Sequence, residues 1–247
     1  MNKNSRSIWE LANPKRFVSI ANWIVPFLTI FTILCMTIGI FWGVFFTPDD
    51  YRQGSSVKII YIHVPSAFLA VNIYIMMIVT SIIWLIRRHH VSLLAAKAAA
   101  PIGLTMTLVT ILTGAIWGKP IWGTYWAWDP RLTSFAILLM FYIGYISIWS
   151  TMEYNEKVGD LSALICIIGS IFALLSRYAV LFWDQGLHQG ASMSLDKEEN
   201  ISNVFYLPLL FCLLGFFSLF LTILLIRTRT EIRIRRTNSL MRTKLEK

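Results

Sequence analysis

The side chains best able to bind a metal ion in this sequence are two histidines. His63 precedes Val-Pro within an apolar stretch, and His188 lies between Leu and Gln in a segment flanked by glycines. Two neutral imidazoles that approach from opposite directions can supply both axial ligands of a heme iron. Because the two residues are far apart in the sequence, spacing alone leaves open that both are ordinary polar residues at a membrane interface.

A tryptophan-rich segment between residues 117 and 133 has the composition of a surface for a flat apolar molecule. Four of the chain's ten tryptophans fall within twelve residues there, together with Tyr125 and two glycines. An aromatic belt at a membrane interface accounts for one or two tryptophans per helix end. The higher density favours a platform for a large flat ligand. The four are Trp117, Trp122, Trp126 and Trp128.

Charged residues lie in and beside this segment. Asp129 before Pro130 and an apolar run is typical of a helix N-cap followed by proline at the first helical position, which does not exclude a role in binding. Arg131, Lys119 and Arg177 are expected on the same face, and such residues can hold the two carboxylates of heme. For Arg177 the alternative is a side chain that simply reaches the membrane interface.

The composition places these residues in a membrane protein. The chain has 247 residues, of which 56% are hydrophobic and 14% charged, and its mean hydropathy is +0.63. Soluble domains carry about 25% charged residues, so a disordered chain, a coiled coil and an ordinary soluble enzyme are excluded. The net charge of +9 reflects membrane orientation, and no nucleic-acid partner is expected.

Six apolar runs are each long enough to cross a bilayer as a helix, which needs about 20 residues. Basic residues concentrate in the N-terminal segment, in the connections after the second and fourth runs, and in the C-terminal tail. The positive-inside rule therefore places both termini in the cytoplasm. We predict an all-α polytopic membrane protein with one domain, 1–247. The predicted spans are about 21–46, 58–86, 97–117, 131–151, 160–182 and 201–226, and the external connections are 47–57, 118–130 and 183–200.

Ionisable residues within the predicted spans narrow the class of protein. Apart from the first residue of a span, only His63 and Arg177 lie inside them, both near external ends. A coupled transporter is expected to carry charged residues at mid-depth. An electron-transfer cytochrome b, the main alternative, usually pairs histidines within its helices. The chain has no nucleotide-binding loop and no CxxC motif, so no enzyme activity is predicted.

Residues 122–133, WGTYWAWDPRLT, closely resemble the WWD signature of heme-handling membrane proteins. The preceding WGKPIW and the surroundings of His63 and His188 narrow the resemblance to the CcmC, or heme exporter protein C, family of cytochrome c maturation. The resemblance covers nearly the whole chain. Tyr125 stands where the family usually has tryptophan, and Phe182-Trp183-Asp184 stands where a tryptophan pair is usual.

This resemblance implies a specific function. Such proteins bind b-type heme as a transient cargo at the periplasmic face of the inner membrane, and present it to the heme chaperone CcmE. They associate with the ABC transporter subunits CcmA and CcmB and with the small membrane protein CcmD. By motif match, His63 and His188 are the expected axial ligands of the heme iron. The remaining expected heme-binding residues are Trp117, Trp122, Tyr125, Trp126, Trp128, Asp129 and Arg131.

Overall fold

The described part of the protein folds as a bundle of six long helices. The computed structural model describes residues 13–152, 155–182 and 202–245, and these ranges contain no β-strand. All six helices are long enough and apolar enough to cross a membrane, which confirms the all-α polytopic prediction. A short 3-10 helix, Ser55–Ile59, leads directly into the second of them. The helices are α1 (Pro14–Phe45), α2 (Ile60–Arg87), α3 (His90–Trp122), α4 (Pro130–Thr151), α5 (Glu156–Phe182) and α6 (Asn203–Leu245).

Helix α3 extends further into the tryptophan-rich segment than the sequence predicts. It continues to Trp122, so the connection to α4 is 123–129 rather than 118–130. Pro120 is tolerated in the last turn because it removes a single helical hydrogen bond there. Gly123 then ends the helix with a φ of 73° and donates its N–H to the Lys119 carbonyl. Trp122 therefore lies on a helix and not in a loop.

Helix α6 also extends beyond the end of its apolar run. The sequence predicts a span ending near residue 226, whereas α6 continues to Leu245. Arg227 Nε donates a hydrogen bond to the Ala98 carbonyl over 3.1 Å, and Lys97 Nζ lies 2.6 Å from a carboxylate oxygen of Glu231. These contacts hold the basic continuation of α6 against the first turns of α3, so the helix does not end where its hydrophobic residues end.

The helices pack through small residues, as is usual where lipid removes the hydrophobic drive for association. Helix α2 lies between α3, α5 and α6, whereas α1 packs almost entirely on α6. Tyr142 of α4 fills the space left by Gly103 of α3 and donates its hydroxyl to the Ala70 carbonyl of α2 over 2.8 Å. The hydroxyls of Thr32 and Ser218, 2.8 Å apart, join α1 to α6.

Successive helices are antiparallel, so the bundle has two chemically different ends. Basic residues and their partners lie at one end. Arg88 forms an ion pair with Asp160 there, and Asp160 also accepts a hydrogen bond from Trp84 Nε1 over 3.0 Å. The other end gathers the start of α2, the end of α3 and the start of α4. His63 and the tryptophan-rich segment therefore share one end, which we refer to as the tryptophan end.

Candidate functional site

His63 is held at the tryptophan end by side chains of α3. It is the fourth residue of α2 and is half-buried. Its Nδ1 lies 2.9 Å from the hydroxyl oxygen of Thr113. Its ring meets the indole of Trp117 edge to face, with 5.5 Å between ring centroids and an interplanar angle of 73°. Two specific contacts therefore define the position of the imidazole, as a metal ligand requires.

The face of α3 that receives His63 has room for the ring. Thr113, Gly114 and Trp117 are spaced i, i+1 and i+4, so all three lie on one side of the helix. A Cβ atom added to Gly114 would lie only 3.0 Å from Cε1 of His63. That is closer than carbon atoms normally pack, so glycine at this position allows the imidazole to rest against the helix.

Trp117 is itself fixed by the connection that precedes α2. Its Nε1 donates a hydrogen bond to the side-chain oxygen of Gln53 over 2.8 Å. The backbone N–H groups of Arg52 and Gln53 both donate to a carboxylate oxygen of Asp50, at 2.9 and 2.8 Å. Asp50 and Gly54 pair their backbones across the same turn. This turn places Gln53 against Trp117, and Trp117 against His63.

The connection 123–129 carries its aromatic rings at the surface. Trp126 and Trp128 pack edge to face with centroids 5.7 Å apart, and Trp128 is 82% exposed. Tyr125 is 59% exposed and has the Lys119 ammonium 5.1 Å from its ring centre. Trp126 Nε1 is buried and has no acceptor within the part of the chain that the structure describes. Exposed rings together with an unused buried donor suit a polar, aromatic ligand.

Trp122 lies between this connection and Trp117. It is half-buried, and its indole covers Gly118 one turn back along α3, where an added Cβ would lie 2.6 Å from the ring. Trp117 and Trp122 are thus anchored on the helix, whereas Trp128 extends from the loop. The predicted platform is partly a helix end and partly a loop.

Asp129 caps α4, as predicted. It is 5% exposed, its Oδ1 accepts the backbone N–H of Leu132 over 2.6 Å, and Pro130 occupies the first helical position. Arg131 follows it, half-buried, within electrostatic range of both Asp129 and Arg177. The guanidinium groups of Arg131 and Arg177 are therefore suited to pair with a carboxylate at the tryptophan end.

The remaining described histidines lie at the opposite end of the bundle. His90 begins α3, 23 residues before Thr113, which places it roughly 35 Å from the contact with His63. His89 caps α3 by accepting the N–H of Ser92 at Nδ1 over 3.1 Å, and burial lowers its pKa. Both are half-buried rather than solvated. His63 and His90 thus do not form the histidine pair that the cytochrome alternative calls for.

The structure brings together part of the predicted site and adds residues that the sequence did not single out. His63 and Trp117 are in contact, and Trp126 contacts Trp128. His188 and Trp183 lie outside the described residues. Thr113 and Gln53 were not predicted. A hydroxyl on the Trp117 face of an apolar helix was the only sequence signal for Thr113.

Comparison with known proteins identifies the family of this chain. The family model described as heme exporter protein C matches residues 7–243. The chain is 57% identical over 235 residues to heme exporter protein C of Paracoccus denitrificans, covering 95% of this chain and 97% of that protein. It is 56% identical over 234 residues to that of Rhodobacter capsulatus, with the same coverage, and 37% identical over 227 residues to that of Escherichia coli, covering 92% of this chain and 91% of that protein. This chain therefore belongs to the heme exporter protein C family.

Proposed function

We propose that this chain binds b-type heme at the tryptophan end of its bundle and presents it to the chaperone CcmE for cytochrome c maturation. Membership of the heme exporter protein C family implies heme handling in that process. The observation that carries the finer proposal is the placement of His63, which two contacts from α3 hold beside the tryptophan-rich segment. A positioned imidazole at the same end of the bundle as exposed aromatic rings suits a flat iron-containing cargo.

The residues divide into three roles in this proposal. His63 and His188 supply the axial nitrogens to the heme iron. The aromatic rings of the tryptophan end provide the apolar surface for the porphyrin, and Arg131 provides charge for its carboxylates. Asp129 acts chiefly through its cap, which fixes the start of α4 and therefore the end of the aromatic connection. Heme is a substrate here, received and passed on without covalent change, so the chain is not an enzyme.

The exposed rings support transfer to a partner. Trp128 and Tyr125 are accessible from outside the bundle while His63 is half-buried against α3. A chaperone approaching the tryptophan end would meet the aromatic connection first. We place this end on the periplasmic side of the inner membrane, because the opposite end holds the basic residues that the positive-inside rule assigns to the cytoplasm. CcmA, CcmB and CcmD are the expected partners within the membrane complex.

The visible spectrum of the purified protein tests the proposal. We expect low-spin heme with two imidazole ligands in the parent protein. His63→Ala and His188→Ala should lower retained heme or change its spectrum, whereas His89→Ala and His90→Ala, changed at the opposite end, should not. His63→Gly with added imidazole should partly restore the parent spectrum, because the missing group is a neutral nitrogen donor. Parent spectra for both the His63 and His188 variants would contradict the ligand assignment.

A further inference from the structure

We infer that Thr113 is a positioning residue for His63, and that its hydroxyl selects the imidazole tautomer in which Nε2 is the nitrogen able to bind iron. This inference rests on the proposed function, because it concerns how the heme ligand is prepared.

The Thr113 hydroxyl has a carbonyl acceptor on its own helix. Its oxygen lies 2.6 Å from the Val109 carbonyl and 3.3 Å from that of Thr110. A carbonyl oxygen cannot donate, so the single hydroxyl proton is directed to the shorter of these contacts. The same bond to the carbonyl four residues back is made by Thr107 and Thr110, at 2.7 Å each.

The tautomer of His63 follows from this geometry. With its proton already donated, the Thr113 oxygen acts as an acceptor at its 2.9 Å contact with Nδ1. Nδ1 therefore carries the hydrogen. A neutral imidazole has one N–H, so Nε2 has the lone pair that a metal ion needs. Thr113 thus acts on the far side of the ring from the ligating atom.

The hydrogen bond from His63 Nδ1 to Thr113 also affects how strongly His63 binds the heme iron. An acceptor on the N–H of a ligating imidazole raises ligand basicity and fixes the ring orientation, and loss of such a partner typically costs roughly 10- to 100-fold in metal affinity. A more basic axial ligand favours ferric over ferrous heme. If the loss of the bond changes that preference tenfold, the midpoint potential rises by about 59 mV for one electron.

Thr113→Val is the direct test, because it replaces the hydroxyl with a methyl group of similar size. We expect at least tenfold faster loss of heme on dilution, a changed low-spin electron paramagnetic resonance signal and a higher midpoint potential. Thr113→Ser retains the oxygen and should restore the parent values. Thr110→Val is the matched control, since Thr110 makes the same carbonyl bond one turn earlier without a described contact to His63.

A second variant tests the same contact without removing the hydroxyl. Gly114→Ala adds a methyl group 3.0 Å from Cε1 and 3.6 Å from Nδ1 of His63, so the ring must move relative to Thr113. We expect a spectral change in the same direction. If Thr113→Val does not accumulate in the membrane, Gly114→Ala alone tests whether the contact between His63 and Thr113 affects heme binding.

The outcomes separate this inference from the proposed function. If His63→Ala changes the heme spectrum while Thr113→Val and Gly114→Ala keep the parent retention, signal and potential, the role of Thr113 is wrong and the ligand assignment stands. If His63→Ala itself keeps the parent spectrum, both are wrong. If Thr110→Val reproduces the Thr113→Val effect, the cause is loss of any hydroxyl from α3, which also overturns the inference.

Discussion

A substitution at Trp128 can change the binding of heme or CcmE without changing the stability of the protein, because 82% of the residue is exposed. A buried tryptophan covers about 150–250 Å², so roughly 120–200 Å² of this one is available to a ligand or partner. At about 25 cal/mol per Å², covering half of that area contributes about 1.5–2.5 kcal/mol, or roughly 10- to 60-fold in affinity. The same substitution on an exposed surface changes unfolding free energy by no more than about 0.5 kcal/mol. We therefore expect Trp128→Ala to bind heme and CcmE less tightly and to keep the free energy of unfolding of the parent protein.

The assay is co-purification of heme and CcmE with the variant, normalised to its amount in the membrane. Trp23→Ala is the matched control, because Trp23 is also 82% exposed but lies on α1 at the basic end, next to Asn22, which contacts Arg229. Trp128→Phe should fall between parent and Trp128→Ala if ring size matters. Equal retention by the Trp128→Ala, Trp23→Ala and parent proteins would show that Trp128 only anchors a helix end in the membrane interface.

Two further predictions concern orientation and Asp129. Thr124→Cys should react with a membrane-impermeant thiol reagent added from outside and Thr237→Cys should not; both sites are exposed and the three native cysteines are buried, so background is low. The reverse pattern would place the aromatic connection in the cytoplasm and refute the proposed site. Asp129→Ala should lower the free energy of unfolding by about 0.5–2 kcal/mol, whereas Asp129→Asn should keep thermal stability and heme retention, because asparagine caps as well. Loss of heme from Asp129→Asn at parent stability would instead assign the carboxylate a direct role in binding.

The fold was predictable from the sequence because a membrane leaves little choice. A continuous apolar run must satisfy its backbone hydrogen bonds internally, so six runs give six helices. The helix ends were less predictable, since hydropathy reports where side chains prefer lipid and not where hydrogen bonding stops. The cap at Gly123 and the contacts of Arg227 and Lys97 with neighbouring helices determine those ends, and they depend on backbone conformation and tertiary packing.

The sequence singled out part of the candidate site but not the residues that hold it in position. Asp129 followed by Pro130 indicated the cap that the structure shows. The contact of His63 with Thr113 joins residues on different helices, and that of Trp117 with Gln53 depends on the turn at Asp50. Neither pair has a characteristic sequence spacing. Threonine in an apolar helix usually bonds its own backbone, so the residue type alone did not distinguish Thr113 from Thr110.

The site combines a packed part and an exposed part, and this suits reversible binding of a cargo. His63 is oriented by contacts from α3, so little conformational entropy remains to be lost when it binds iron. Trp128 and Tyr125 are exposed and therefore keep apolar surface that only a ligand or partner covers. A site enclosed on all sides would favour retention, because release would require the bundle to open. Under the proposed function, a chaperone at the tryptophan end would instead compete for the exposed rings while His63 still holds the iron. The affinity for heme is then shared between a preorganised ligand and a surface that a partner can replace.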